Sequence, residues 1–365
     1  MEHLVQLKIK DTADRYRILK KIGAGGQAVV YLAQDFEHPQ QQLVALKQQE
    51  LEEMLGKIKT TIIKQHQCTN CLLCNHCNHC QKCQNCQHKP LPHDQKKQIE
   101  SENLAKEELS KELLRLLREI SSIQLKHLNI VEIYDSYLST DNKFISISEL
   151  AQQDLKAFVE QRQKKLTTQE ISMIFLQIVN GLEYIHDQNF IHRDISPQNI
   201  LVFQDSIIKI CDFGFASYGD QTSSSVGKQE YIAPEVLPGN QNYNKSIDIW
   251  SLGVTLYYLC TGSTLCDRGL INVVARGQNH IDLPLEHKIF QPMFDQMLQL
   301  KPQNRPSASK IKEDLMNIID EGSPIYQNYQ SSLLTHLMNQ HKNKLQKQEE
   351  DFEKQILAFG KIIFE

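Results

Sequence analysis

The rhythm of apolar and polar positions changes several times along the chain. Two short apolar runs, Arg17–Gly23 and Gln27–Ala33, predict a strand and its hairpin partner, with the glycines between them as the turn. Leu43–Lys47 predicts a third strand. Residues 48–105 lose this rhythm. They are rich in Gln, Lys, His and Cys and poor in β-branched and aromatic side chains, so they bury too little apolar surface to offset their ordering entropy. A helical period resumes near Lys106, with Leu109, Leu113, Leu116 or Leu117, Ile120 and Ile123 recurring on one face. Strands are expected at Val131–Tyr134 and Phe144–Ser148, and residues 154–318 read mainly as helices. Residues 331–359 form a polar helical tail. Leu334, Met338, His341, Leu345, Gln348, Phe352 and Phe359 roughly follow a heptad, which suits a weak coiled coil or a helix docked on the body or frayed.

Composition narrows the class. The chain has 365 residues, 40% of them hydrophobic, enough for one large domain or two lobes. A net charge of −4 gives no reason to expect a nucleic acid or an anionic membrane as partner. Met1–Leu7 is too polar for a signal peptide, no run approaches the length of a membrane span, and Ile362–Glu365 carries no prenylation cysteine. A soluble, cytoplasmic protein is expected. Nothing in the pattern specifies an oligomeric state.

Two tripeptides stand 18 residues apart (212 − 194 = 18), His192-Arg193-Asp194 and Asp212-Phe213-Gly214. The first continues Ile195-Ser196-Pro197-Gln198-Asn199, and Ala233-Pro234-Glu235 follows the second. Together they resemble the catalytic loop, the metal-binding turn and the end of the activation segment of a eukaryotic Ser/Thr protein kinase. The resemblance covers roughly residues 15–47 and 106–318. It implies an α+β fold of two lobes, a small antiparallel sheet with one helix and a larger, mainly helical lobe, with ATP between them. In domain terms it gives a lead-in over 1–14 and a kinase domain over 15–318. That domain contains an insertion at 48–105 and a helical C-lobe at 149–318; a tail follows at 319–365.

The resemblance also assigns residues. Gly23-Ala24-Gly25-Gly26-Gln27-Ala28-Val29-Val30 is similar to the glycine-rich loop, with Ala28 in place of the third glycine. Lys47 would contact the α- and β-phosphates, held by an acidic residue on the following helix. Glu119 is the first choice for that partner, 72 positions on (119 − 47 = 72), and Glu112 the second. Gly23, Gly25, Val30, Ala45, Lys47, Glu149, Ala151, Asp154 and Leu201 would bind the nucleotide. Of these, the Glu149 and Ala151 backbones would bond adenine, and Val30, Ala45 and Leu201 would sandwich it. Ser148 takes the gatekeeper position. Asp194 would accept or orient the substrate hydroxyl proton, and Asn199 and Asp212 would hold Mg²⁺. Arg193 would await a phosphate on Thr222, Ser223, Ser224 or Ser225, placed there by an upstream kinase. Glu235 would pair with Arg305, and Asp248 would bond the catalytic-loop backbone.

Two departures from the family pattern stand out. Ser196 replaces a lysine that normally contacts the transferring phosphate, and Lys228 replaces a threonine that normally lies against the catalytic Asp and that lysine. The two residue types are exchanged between positions expected to touch. Either Lys228 returns the ammonium to Asp194, with Ser196 supplying the hydroxyl, or both changes mark a weakened kinase.

Seven of the ten cysteines, Cys68, Cys71, Cys74, Cys77, Cys80, Cys83 and Cys86, repeat every third residue. With a nearby histidine they suffice for two Zn²⁺ ions. The same period arises by low-complexity expansion, and redox sensing is a third reading. The expected activity is transfer of the ATP γ-phosphoryl group to Ser/Thr hydroxyls of protein substrates. The rival is a pseudokinase that acts as a scaffold.

Overall fold

The computed structural model describes residues 9–24, 28–38, 41–51, 118–120, 122–218, 227–236, 243–267 and 281–342. Gly25, Glu112, residues 222–225, the cysteine array and the tail beyond 342 lie outside the described residues. The chain divides into two compact units.

The first unit is built on a six-stranded sheet. Its strands are β1 (Ile9–Lys10), β2 (Tyr16–Ala24), β3 (Val29–Asp35), β4 (Leu43–Glu50), β5 (Ile133–Ser139) and β6 (Lys143–Glu149), in the order β1-β5-β6-β4-β3-β2. Only β1 and β5 run parallel; the other pairs are antiparallel. Alternation decides what each face carries. Tyr16, Ala33, Val44, Leu46, Tyr137, Ile145 and Ile147 form a buried cluster on one face. The register opposes Val30 to Lys47 and Leu32 to Ala45, so these four share the other face. Phe144 lies opposite Gln49 on that second face and packs with Leu51 and Ile120. That apolar contact seats the helical turn 118–120 beside Lys47.

Two expectations shift here. The lead-in contributes β1, which pairs with Leu138 and Ser139. The strand expected at Val131–Tyr134 runs instead from Ile133 to Ser139. Polar Asp135, Ser136 and Ser139 dilute its apolar signal. Ile130 and Val131 belong to the second unit, where Val131 N–H donates to the Ile210 carbonyl at 2.9 Å.

The second unit is mainly helical. It contains β7 (Gln153–Asp154), α1 (Leu155–Glu160), α2 (Thr168–Asp187), β8 (Ile200–Val202), β9 (Ile208–Ile210), α3 (Ser246–Thr261), α4 (Gln291–Met297), α5 (Ala308–Met316) and α6 (324–342). Thr167 and Glu170 form a reciprocal capping box at the start of α2. The α3 helix is buried nearly all round, with Trp250 fully enclosed. It stops at Gly262, whose φ of 73° lets its N–H reach the Tyr258 carbonyl at 2.7 Å.

The α6 helix starts before the heptad pattern. It docks through Tyr329, which is 3% exposed, while heptad positions Leu334 and Met338 are 60% and 64% exposed. The Tyr329 hydroxyl donates to Asn129 Oδ1 at 2.7 Å and accepts from Asn180 Nδ2 at 2.8 Å. Asn129 Nδ2 donates onward to the Ile208 carbonyl at 2.8 Å. A Tyr329→Phe substitution leaves both amides short of a buried partner. It is expected to lower stability by about 1–3 kcal/mol in chemical denaturation.

His127 stacks on Tyr184, with ring centroids 5.0 Å apart, and its Nδ1 accepts the Asn129 N–H at 3.1 Å. Burial, then the charges of His336 and Lys312, pull its pKa down to about 4, against a small opposing effect of Glu183. The unfolded chain binds this proton near pH ~6.5. The stabilising contribution of neutral His127 is therefore complete above that value and is lost as pH falls towards 4. The full loss is about 3 kcal/mol. Thermal melts between pH 7 and pH 4 should show it, with a flatter dependence in His127→Gln.

Candidate active site

In the first unit, the face of β4 that carries Lys47 also receives Glu119. Lys47 Nζ donates to Glu119 Oε1 at 2.5 Å and to Asp212 Oδ1 at 3.3 Å. Glu119 is buried, and the Lys47 ammonium is its charged partner. Ser122 Oγ donates to the Glu119 carbonyl at 2.6 Å and closes the helix end. Asp212 adopts a left-handed backbone with φ 63°, and its Oδ1 accepts the Gly214 N–H. A non-glycine residue held in that conformation is strained and persists only where its surroundings fix it.

In the second unit, Asp248 organises the loop 192–199. It is 0% exposed, and its carboxylate accepts the His192 and Arg193 N–H groups, each at 2.8 Å, and His186 Nε2 at 2.9 Å. Complete burial works against its ionisation. The bond from His186, the charges of His186 and His192 and the Arg193 N–H outweigh that and hold the carboxyl below the usual range. The two backbone bonds also hold Arg193 at φ 68°. His192 Nε2 lies 3.0 Å from the Cys211 carbonyl, and the Cys211 N–H donates to the Asn199 carbonyl at 2.9 Å.

Asp194 and Asn199 meet within this loop. Asn199 Nδ2 donates to the Asp194 carbonyl at 2.9 Å and to its Oδ2 at 2.5 Å. Lys228 arrives from the other segment. Its N–H donates to Asp194 Oδ1 at 3.1 Å, and its Nζ donates to Ser196 Oγ at 2.7 Å and Asp194 Oδ2 at 3.4 Å. The two exchanged residue types thus touch.

These arrangements have relatives. A family model for the protein kinase domain matches residues 93–316, more than half of the chain. The chain belongs to the protein kinase family. It is similar to the serine/threonine-protein kinase TIO of Arabidopsis thaliana, 39% identical over 157 residues, which are 42% of this chain and 12% of that protein. It is also similar to carbon catabolite-derepressing protein kinases. The Candida glabrata protein is 33% identical over 210 residues, 55% of this chain and 34% of its own length. The Saccharomyces cerevisiae protein is 33% identical over 210 residues, with 55% and 32% covered. The chain spans about a third or less of the length of these curated relatives.

The end of the kinase activation segment is pinned from behind. Arg305 makes a two-bond fork to Glu235 at 2.6 and 2.8 Å and lies over the Trp250 ring at 5.0 Å. Ser251 Oγ donates to the Tyr231 carbonyl at 2.8 Å. The residues assigned to the nucleotide are placed one by one. Val30 and Ala45 share the Lys47 face, and Leu201 lies in β8. The Glu149 N–H donates to the Glu132 carbonyl at 3.2 Å, and the Glu149 carbonyl accepts from Ser148 Oγ at 3.4 Å. Asp154 caps α1, with Oδ1 accepting the Ala157 N–H at 2.7 Å.

Sequence reasoning missed His186, whose only signal was a basic residue in the last turn of α2. It also missed what Gly227 does. Gly227 sits at φ +107°, and a Cβ there would meet the Arg193 carbonyl oxygen at 2.6 Å, so only glycine lets the segment approach the loop. Among the described residues, no group of three or more His, Cys, Asp and Glu is arranged to hold a metal, and no helix is long and apolar enough to cross a membrane.

Proposed function

We propose that the chain is a Ser/Thr protein kinase that transfers the γ-phosphoryl group of ATP to hydroxyls of protein substrates. The observation that carries this reading is the Lys47–Glu119 ion pair at 2.5 Å, with Asp212 on the same ammonium. Its carboxylate is buried while the Lys47 side chain stays 25% exposed, and taking such a carboxylate out of water is costly. The pair joins residues 72 positions apart across the whole insertion. A phosphate-binding lysine explains why the chain maintains it.

The other residues follow in role. Lys47 binds the α- and β-phosphates and Glu119 orients it. Asp194 receives or orients the proton of the substrate hydroxyl. Gly23 suits a loop over phosphates: a Cβ there would meet only the Val30 side chain, at 3.6 Å, so the protein itself does not demand glycine. The metal fits the donor chemistry. Asn199 commits its Nδ2 to Asp194, which leaves its amide oxygen, and Asp212 offers a carboxylate; both are hard oxygen donors suited to magnesium. When bound, Mg²⁺ offsets the charge of the phosphates.

Protein substrates and an upstream kinase for Thr222, Ser223, Ser224 and Ser225 are the partners this reading implies, with a cytoplasmic location. For Cys68–Cys86 the proposal is a zinc-binding insertion. Deleting residues 66–93 should remove about two zinc ions per chain, counted by metal analysis. Equal zinc in both proteins rejects it in favour of low complexity.

The test of the activity is phosphoryl transfer from labelled Mg-ATP to a generic Ser/Thr acceptor. The parent protein should transfer. Asp194→Asn should fall by at least about 100-fold, and Asp212→Asn should fall as well. No transfer by the parent, even after an upstream kinase has acted on residues 222–225, returns the scaffold reading.

A further inference from the structure

We propose that Lys228, from the activation segment, supplies the cation that contacts the transferring phosphoryl group, and that Ser196 is the hydroxyl that seats it. This deepens the kinase reading and rests on it.

Four observations place the ammonium. Lys228 Nζ is 3.4 Å from Asp194 Oδ2 and 2.7 Å from Ser196 Oγ. Its side chain keeps 33% of its exposure, so the charge is at the catalytic carboxylate and still open to a ligand. The backbone is fixed independently of the side chain. The Lys228 N–H is bound to Asp194 Oδ1, and the Lys228 carbonyl accepts the Tyr231 N–H at 2.9 Å. Gly227 brings the chain close enough, with a φ that a side chain would strain. Ser196 is fully buried and cannot itself carry charge, but its oxygen accepts from the ammonium and limits where the long stem swings.

In the transfer, the substrate hydroxyl oxygen forms a bond to the γ-phosphorus while the bond to the β–γ bridging oxygen breaks. That oxygen leaves with the electron pair on ADP, and the hydroxyl proton passes to Asp194. Lys228 gives and takes no proton. It donates a charge-assisted hydrogen bond to an equatorial oxygen of the moving group. The loss of such a bond slows the step by about 10- to 150-fold.

The experiment uses the full chain and measures kcat for transfer beside ADP affinity, because ADP lacks the phosphoryl group that Lys228 would touch. Lys228→Ala and Lys228→Thr should lower kcat by about 10- to 150-fold, with ADP affinity within about twofold of the parent. Lys228→Gln, which keeps half of the aliphatic stem and a hydrogen-bonding head without the charge, stands in should the shorter variants unfold. Adding Ser196→Lys to Lys228→Thr returns the ammonium from the other segment and should recover kcat at least about tenfold over Lys228→Thr alone. A Lys228→Ala or Lys228→Gln protein within about threefold of the parent overturns the proposal and leaves the kinase reading intact. A double variant no faster than Lys228→Thr also overturns it. A parent that binds ADP and transfers nothing overturns the kinase reading, and this proposal with it.

Discussion

The buried carboxylate of Asp248 is the interaction on which the second unit's chemistry depends. A charge sealed from water survives only when its oxygens are saturated with donors. Here those donors are the N–H groups of His192 and Arg193 and the ring of His186. Because α3 is itself buried nearly all round, the carboxylate transmits the position of a helix to a loop. The left-handed turn at Arg193 follows, and with it the direction in which Asp194 leaves the loop. Asn199 and Lys228 then converge on that one side chain.

Elsewhere the protein uses ion pairs to bring distant segments into register. Lys47 reaches Glu119 and Arg305 reaches Glu235, separated by 72 and 70 positions. Pairs of this kind add little net stability, since desolvation cancels much of the attraction. Their use is discrimination. A segment displaced by one residue leaves a charge buried without its partner, which is far more costly than the aligned pair is favourable. Lys47–Glu119 ties the turn 118–120 to β4 across the insertion, and Arg305–Glu235 ties the activation segment to the body of the second unit.

How much was legible depended on whether a signal was local. The β2–β3 hairpin was readable because glycines separate two short apolar runs, and β4 because Leu43–Leu46 is a compact apolar run. The seat of Lys47 was readable because period-two alternation puts it on one face with Ala45 and Val30. The β5 strand was placed two residues early, since Ile130 and Val131 are more apolar than the strand and serve the other unit. Asp154 was assigned to the nucleotide, and no pattern announced that its carboxylate caps α1. The Lys228–Ser196 contact was legible only as a pair of departures from a family pattern. Its reality in space required Gly227 at a positive φ, which no run of residues discloses. The family-model match begins at residue 93, beyond Gly23 and Lys47, so the assignment of Lys47 leans on its ion pair with Glu119.

The tail shows where resemblance and physics draw different lines. The family-model match ends at residue 316, yet the second compact unit continues through α6, and Tyr329 closes a polar chain that runs through Asn129 to the backbone of β9. Two residues past β9, the chain reaches Asp212. The helix after the matched span is thus a structural wall of the same building, although family inheritance alone would count it as an annex. A piece of the chain trimmed to the end of the family-model match would open a wet seam directly behind the strand that leads to Asp212-Phe213-Gly214.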